Sequence, residues 1–263
     1  MSPQASLRQI DRSANLHNDF VELRAHAREL EPDSWWLNAT ELTTLGYEAI
    51  VTEIAERLKR RATGAPAELL DWGAGPGFLS YLLESEGISA TYYDFEDSAP
   101  SYRYVISRLK GRKVFVGPDP VRLPFEDGSF DAATSCGVLE HVPDAPGSLK
   151  ELHRVLKPGG LLFVHHFPNR WSWTEALARR IGQDSHEVLW TKAELFSALE
   201  KAGFEIESFD RRYVIPRNLQ AYPALNRFLS RHARGVYAFD RVLTRIPGLN
   251  LIANALNCVA VKR

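Results

Sequence analysis

Residues 69–77, Leu-Leu-Asp-Trp-Gly-Ala-Gly-Pro-Gly, join a short apolar run to three alternate glycines through a single acid. Glycine lacks a Cβ, so Gly73, Gly75 and Gly77 can take positive φ and let main-chain N–H groups and a helix N-terminus approach a ligand closely. Side chains would block that approach. From Glu68 onward, short apolar runs alternate with amphipathic stretches, the pattern of a parallel sheet covered by helices on both faces. Strands are expected at 68–71, 90–94, 113–117, 131–135, 160–166, 204–214 and 256–262, and helices near 77–86, 98–109, 145–155, 174–181 and 192–202. The last helix has a start signal in Thr191-x-x-Glu194, where hydroxyl and carboxylate can each satisfy an exposed backbone donor. Ahead of the sheet, Tyr47, Ile50, Val51, Ile54 and Leu58 recur at helical spacing.

The expected fold is α/β: a doubly wound, Rossmann-like, seven-stranded and mostly parallel sheet. Its organisation is an N-terminal helical cap (1–66), a ligand-binding core (67–215), a basic helical insertion (216–250) and the core's final strand (251–263). A length of 263 residues with 44% apolar and 25% charged side chains suits a single enzyme-sized unit. No window approaches the roughly 18 uncharged apolar residues of a membrane span, and the first residues lack the apolar run of a signal peptide. Cys136 and Cys258 form neither metal spacing nor a disulfide framework, so a reducing, cytoplasmic setting is expected.

A dinucleotide fingerprint requires Gly-x-Gly-x-x-Gly, and Phe78 stands where its third glycine would be. A nicotinamide-dependent dehydrogenase is therefore disfavoured. Asp71-x-Gly73-x-Gly75-x-Gly77 instead resembles the first motif of class I S-adenosylmethionine-dependent methyltransferases. Asp94 closes the second strand, 23 residues after Asp71, about where such folds place a ribose-binding acid. Asp119 with Leu123-Pro-Phe-Glu-Asp-Gly-Ser-Phe-Asp131, Val138-Leu-Glu-His-Val-Pro-Asp144 and Leu156-Lys-Pro-Gly-Gly160 follow in the order of the methyltransferase 11 type. The resemblance spans residues 67–214 and resumes at the C-terminus.

That resemblance implies S-adenosyl-L-methionine as cofactor and assigns its contacts. Asp71 and the backbone of Gly73, Gly75 and Gly77 would hold the methionyl part. Asp94 would accept both ribose hydroxyls, because a carboxylate offers two acceptor oxygens. Phe95 would pack on the adenine. Asp119 would accept from the adenine amino group; Pro120, which follows, has no N–H for the ring nitrogen, so that contact shifts to Val121. Ser135, Cys136 and Gly137 would run beneath the methyl donor. No metal is expected: Glu140, His141 and a histidine of the fifth strand offer mixed ligands, but Gly137 replaces the first carboxylate of the Glu-x-x-Glu-His found in some related methyltransferases.

Methyl transfer asks mainly for alignment, with a base where the acceptor must lose a proton. Histidine suits that task near neutral pH. The candidates are His141 after the fourth strand, His165 and His166 in the fifth, and His186 in the following loop; the alternative for each is an ordinary polar residue. Aromatic density at Trp35, Trp36, Trp171, Trp173 and Trp190 points to an apolar or ring-containing acceptor, or merely seals the cap. The acceptor is expected to be a small or lipid-like molecule, methylated at oxygen on the histidine argument. The rival reading is a non-catalytic S-adenosylmethionine-binding partner protein.

Net charge is −1, yet residues 211–245 hold eight arginines against one acid. Arg227, Arg231, Arg234, Arg241 and Arg245 align on one side of a continuous helix, unless Gly235 breaks it. Residues 227–245 then form either a solvated helix face or a basic surface for an anionic membrane or an acidic substrate. Nucleic acid is not expected as a partner, because no base-reading module is visible.

Overall fold

β1 (Leu69–Trp72) is buried at all four positions and lies inside the sheet, parallel to β2 (Ala90–Phe95) on one side and β4 (Phe130–Cys136) on the other. The computed structural model describes residues 25–26, 28–30, 41–61, 66–95, 100, 102, 104, 113–119, 121–182, 186, 188–217 and 222–263. With β3 (Lys113–Gly117), β5 (Leu156–Pro168), β6 (Phe204–Arg212) and β7 (Ala255–Lys262), the sheet has seven strands in the order β3-β2-β1-β4-β5-β7-β6. β7 runs antiparallel to both neighbours and the other strands are parallel. This is the expected doubly wound architecture, and the order reverses beside β1, where such sheets open a ligand crevice.

Two apolar layers cover the sheet. On one face, α1 (Glu41–Arg61) buries Ile50, Val51, Ile54 and Leu58 against Leu69, Ala132, Leu161 and Phe163, together with Leu79 and Leu83 of α2 (Phe78–Ser85). Residues expected within the cap thus sit directly on the sheet. Lys59, Arg60 and Arg61 end α1, where cations suit the helix dipole. On the other face, α3 (Ala145–Val155) and α5 (Lys192–Lys201) pack against Leu70, Leu162 and Val164. Thr191 and Glu194 form the anticipated reciprocal cap of α5. α4 (Trp173–Arg180) follows β5. Of the helix expected over 98–109, only residues 100, 102 and 104 are described, all helical.

Two departures from expectation shape the molecule. β5 does not alternate through its end: its register on β7 shifts between Val164 and Phe167, and His166 takes φ 60°. A bulge of this kind re-aims side chains; here both consecutive histidines face α1, His165 at Glu53 and His166 at Tyr47. The second departure corrects the continuous basic helix. The insertion forms α6 (Pro223–Arg231) and α7 (Ala233–Leu243), separated at His232, and Gly235 lies inside α7. Among the described residues no helix is long and apolar enough to cross a membrane.

Candidate active site

The C-terminal ends of β1, β2 and β4 open into a cleft of about 310 Å³. Asp71, Gly73, Gly75, Asp94, Phe95, Cys136, Gly137 and His141 all line it, bringing together residues from three separate motifs. Gly73, Gly75 and Gly77 have φ of 69°, 54° and 73°, a region costly for other residues. The turn closes on β2 through Gly73 and Ala74 N–H groups, which donate to the Tyr93 carbonyl at 2.8 and 3.0 Å. A Cβ on Gly73 would meet Val138 Cγ1 at 2.4 Å, so that glycine is required by Val138 packing as well as by φ. Gly77 is left-handed at the N-cap of α2 and shapes the turn from outside the cleft wall.

Both carboxylates are buried. Asp71 accepts from Ser80 Oγ at 2.6 Å and Thr134 Oγ1 at 2.8 Å; burial raises its pKa, and the two hydroxyls oppose that rise. Asp94, the penultimate residue of β2, accepts the Phe95 N–H at 2.9 Å. The Phe95 ring stands edge-on to Trp72 and Tyr93 at 5.9 and 6.0 Å, held by the core at the cleft wall. This donor and acceptor set fits S-adenosylmethionine: a side-chain-free turn for close approach, two buried acids, and an aromatic wall.

Other expected contacts are placed differently. Asp119 Oδ1 accepts from the N–H groups of Val121 and Arg122 at 2.7 and 3.2 Å, so its carboxylate caps its own loop and occupies the Val121 donor. Pro120 lies outside the described residues. Among the described residues, Asp119, Val121 and Ser135 stand outside the cleft wall; Ser135 is buried within β4. Cys136 lies 3.5 Å from His166 Nδ1, and burial beside Asp71 pushes its thiol pKa up.

The histidines separate into two groups. His141 lines the cleft, and its ring centroid lies 5.7 Å from that of His186. His186 Nδ1 is 2.9 Å from Glu175 Oε1, a bond that raises its pKa. Burial and the neighbouring His186 charge lower the pKa of His141, leaving it neutral near pH 7. His165 and His166 are buried off the cleft wall. His165 reaches Glu53 at 3.4 Å beside a second cavity. His166 lies 3.0 Å from the Tyr213 hydroxyl and 3.2 Å from an Arg217 guanidinium nitrogen. Burial lowers both pKa values, and Arg217 lowers that of His166 further.

Glu140, His141 and His186 each offer a ligand atom within 4.8 Å of the others, so His186, not a β5 histidine, completes the mixed set. Oxygen and nitrogen donors of this kind suit a divalent cation. Burial raises the Glu140 pKa to about 7.

Sequence reasoning missed Thr43 and Tyr47 of α1, Phe78 of α2, and Tyr102, all of which line the cleft. Tyr47 was visible only as part of an apolar stripe. It also missed Glu175, whose spacing after Ser172 suggests a helix cap; Ser172 does accept the Glu175 N–H, but the carboxylate turns to His186. The tryptophans named above contribute little to this wall. Trp171 is exposed, Trp173 donates to the Val214 carbonyl and Trp190 packs on Phe167. Trp35 and Trp36 lie outside the described residues.

Residues 70–164 match a family model described as a methyltransferase domain. The chain is 40% identical over 132 residues to a demethylmenaquinone methyltransferase of Beutenbergia cavernae, covering 46% of this chain and 52% of that protein. It is 39% identical over 158 residues to a ubiquinone biosynthesis O-methyltransferase of Xanthomonas oryzae pv. oryzae, covering 54% and 64%. The chain thus spans less than two thirds of these relatives. A solved S-adenosylmethionine-dependent methyltransferase of Thermotoga maritima shares the fold with a TM-score of 0.57 at 19% identity, covering 90% of this chain and 99% of that one. Fold and family model agree: residues 70–164 carry a methyltransferase domain, and the surrounding fold is that of class I S-adenosylmethionine-dependent methyltransferases.

Proposed function

We propose that the protein transfers the methyl group of S-adenosylmethionine to a hydroxyl oxygen on a small, ring-containing acceptor of quinone type. The observation that carries this reading is the meeting of the glycine turn, Asp71 and Asp94 in one aromatic cleft with His141 on its wall. When bound, S-adenosylmethionine supplies an electrophilic methyl group and a good leaving group. Asp71 and the turn hold its amino-acid end, Asp94 accepts from the ribose and Phe95 packs on the base. Tyr47, Phe78 and Tyr102 offer an acceptor ring flat apolar walls. His141, neutral near pH 7, takes the hydroxyl proton as the oxygen attacks, while the Glu175 carboxylate holds the His186 ring beside it. The named activities of the similar proteins support a quinone-type acceptor.

Calorimetric titration with S-adenosylhomocysteine, using a nicotinamide dinucleotide as control, tests cofactor choice. Heat only with the former is expected. Incubation with labelled donor and hydroxylated quinone precursors, followed by product spectroscopy, tests the acceptor atom. A new methoxy group supports the oxygen assignment, whereas a ring-carbon methyl overturns it. Binding without turnover on any acceptor would favour a non-catalytic partner protein.

A further inference from the structure

The insertion helices turn large apolar residues outward as well as inward. A helix resting on a globular core ordinarily turns its apolar stripe inward and its charges outward. The residues that α7 buries are Ala233 and Asp240, and the Asp240 carboxylate accepts the Ile215 N–H at 2.7 Å. Its apolar residues divide: Val236, Tyr237 and Leu243 are half-buried, whereas Phe239 is 58% and Val242 54% exposed. α6 likewise exposes Leu225 and Phe228, the latter 56% exposed, and Ile246 prolongs the row beyond α7. Each helix thus turns an apolar row outward, one on either side of the break at His232.

Arginines run along one side of each apolar row. Arg227, Arg231, Arg234 and Arg245 are exposed. The one acid between residues 223 and 246 is Asp240, already turned inward. The outer surface of the insertion is therefore an apolar strip with a cationic strip beside it. A solvated basic helix would not need outward phenylalanines, and an acidic-substrate site would not need an apolar ridge. Self-association through this face would set two arginine rows against each other, and like-charge contact disfavours it.

We propose that α6 and α7 dock the protein on an anionic phospholipid bilayer, with the apolar rows immersed at the headgroup boundary and the arginines paired with lipid phosphates. This geometry is that of an interfacial amphipathic element. It needs no spanning segment. α1, which carries Thr43 and Tyr47 of the cleft wall, packs against both α6 and α7, so docking would hold the cleft one helix layer from the lipid.

Co-sedimentation with vesicles tests the proposal, comparing phosphatidylcholine alone with phosphatidylcholine doped with phosphatidylglycerol. The full chain should sediment with the doped vesicles at low salt and be released as salt screens the charge. Replacing Arg231, Arg234 and Arg245 by Gln should weaken partition about fivefold per arginine removed. Phe228→Ser with Phe239→Ser should abolish it. Because these side chains are exposed, both variants should keep the wild-type unfolding temperature and S-adenosylhomocysteine heat, separating lost docking from lost folding and from the catalytic proposal. No sedimentation with doped vesicles, or equal sedimentation with both compositions, overturns the proposal. So does a dimer in light scattering that the double phenylalanine variant dissolves.

Discussion

His165 and His166 are neighbours in sequence, whereas His141 and His186 lie far apart in the chain, yet the second pair meets at the cleft. The first pair owes its position to a bulge that turns both rings toward α1, where burial keeps them neutral and Glu53, Tyr213 and Arg217 occupy them. The second pair sits at the edge of solvent, one ring neutral and the other bonded to a carboxylate. Adjacency in sequence produced a structural brace; proximity in space produced a unit suited to proton transfer. Burial separates the two roles, because a deeply buried imidazole has neither a route to the acceptor nor a solvated charged state.

The sharpest way to break this contrast is His141→Ala. If His141 is the base, turnover should fall on the order of a hundredfold to ten-thousandfold, with S-adenosylhomocysteine affinity unchanged by calorimetry. An equal loss from His166→Asn with full activity in His141→Ala would reverse the two roles. Next in size is Asp94→Ala, which should weaken cofactor binding by about 1–3 kcal/mol, the usual cost of losing a charged hydrogen-bond partner. Unchanged affinity would remove Asp94 from the cofactor contacts.

The cofactor end of the cleft was legible because its signals are local. Gly73, Gly75 and Gly77 declare their backbone conformation by composition, and the apolar strands with Asp71 and Asp94 as their penultimate residues place those acids at one sheet edge. The acceptor end was not, because its determinants are tertiary. Nothing in Asp184-Ser-His186 names Glu175 as a partner, since Glu175 has the spacing of a helix cap. Tyr47 carries the apolar periodicity of α1 whether it faces core or cleft. Both histidines of β5 fit an alternating strand, and only the β7 register shows the bulge. The break at His232 was hidden because its immediate neighbours Arg231, Ala233 and Arg234 favour helix, while Gly235, the weakest former nearby, stays helical.

The two pairs should also respond oppositely to acid. The folded pKa of His166 lies well below the ordinary 6.5, so the unfolded chain binds its proton first as pH falls. Its contribution is therefore present above about pH 6.5 and lost as pH drops through the folded value. His166→Asn, tolerated at φ 60° because Asn accepts the left-handed region, should cost about 1–3 kcal/mol of stability at neutral pH. It should also flatten the acid limb of the stability profile. A limb of unchanged steepness in denaturant titrations would assign the acid sensitivity elsewhere.

The Glu175–His186 pair has the opposite sign on its histidine side. Glu175 is held below its ordinary 4.5 by His186 despite burial, and Glu175 raises His186 above 6.5. The carboxylate contribution is present above pH 4.5 and lost as pH falls through its lowered value; the imidazolium contribution is present below pH 6.5 and lost as pH rises through its raised value. Both act in full only between those limits. Glu175→Gln should therefore destabilise the protein most between pH 4.5 and 6.5, by at most about 1 kcal/mol because the His186 side chain is 37% exposed and solvent screens the pair. Above the raised His186 value the difference should shrink. A difference that stays constant across this range would mean that Glu175 supports α4 through packing and that His186 is not charged by it.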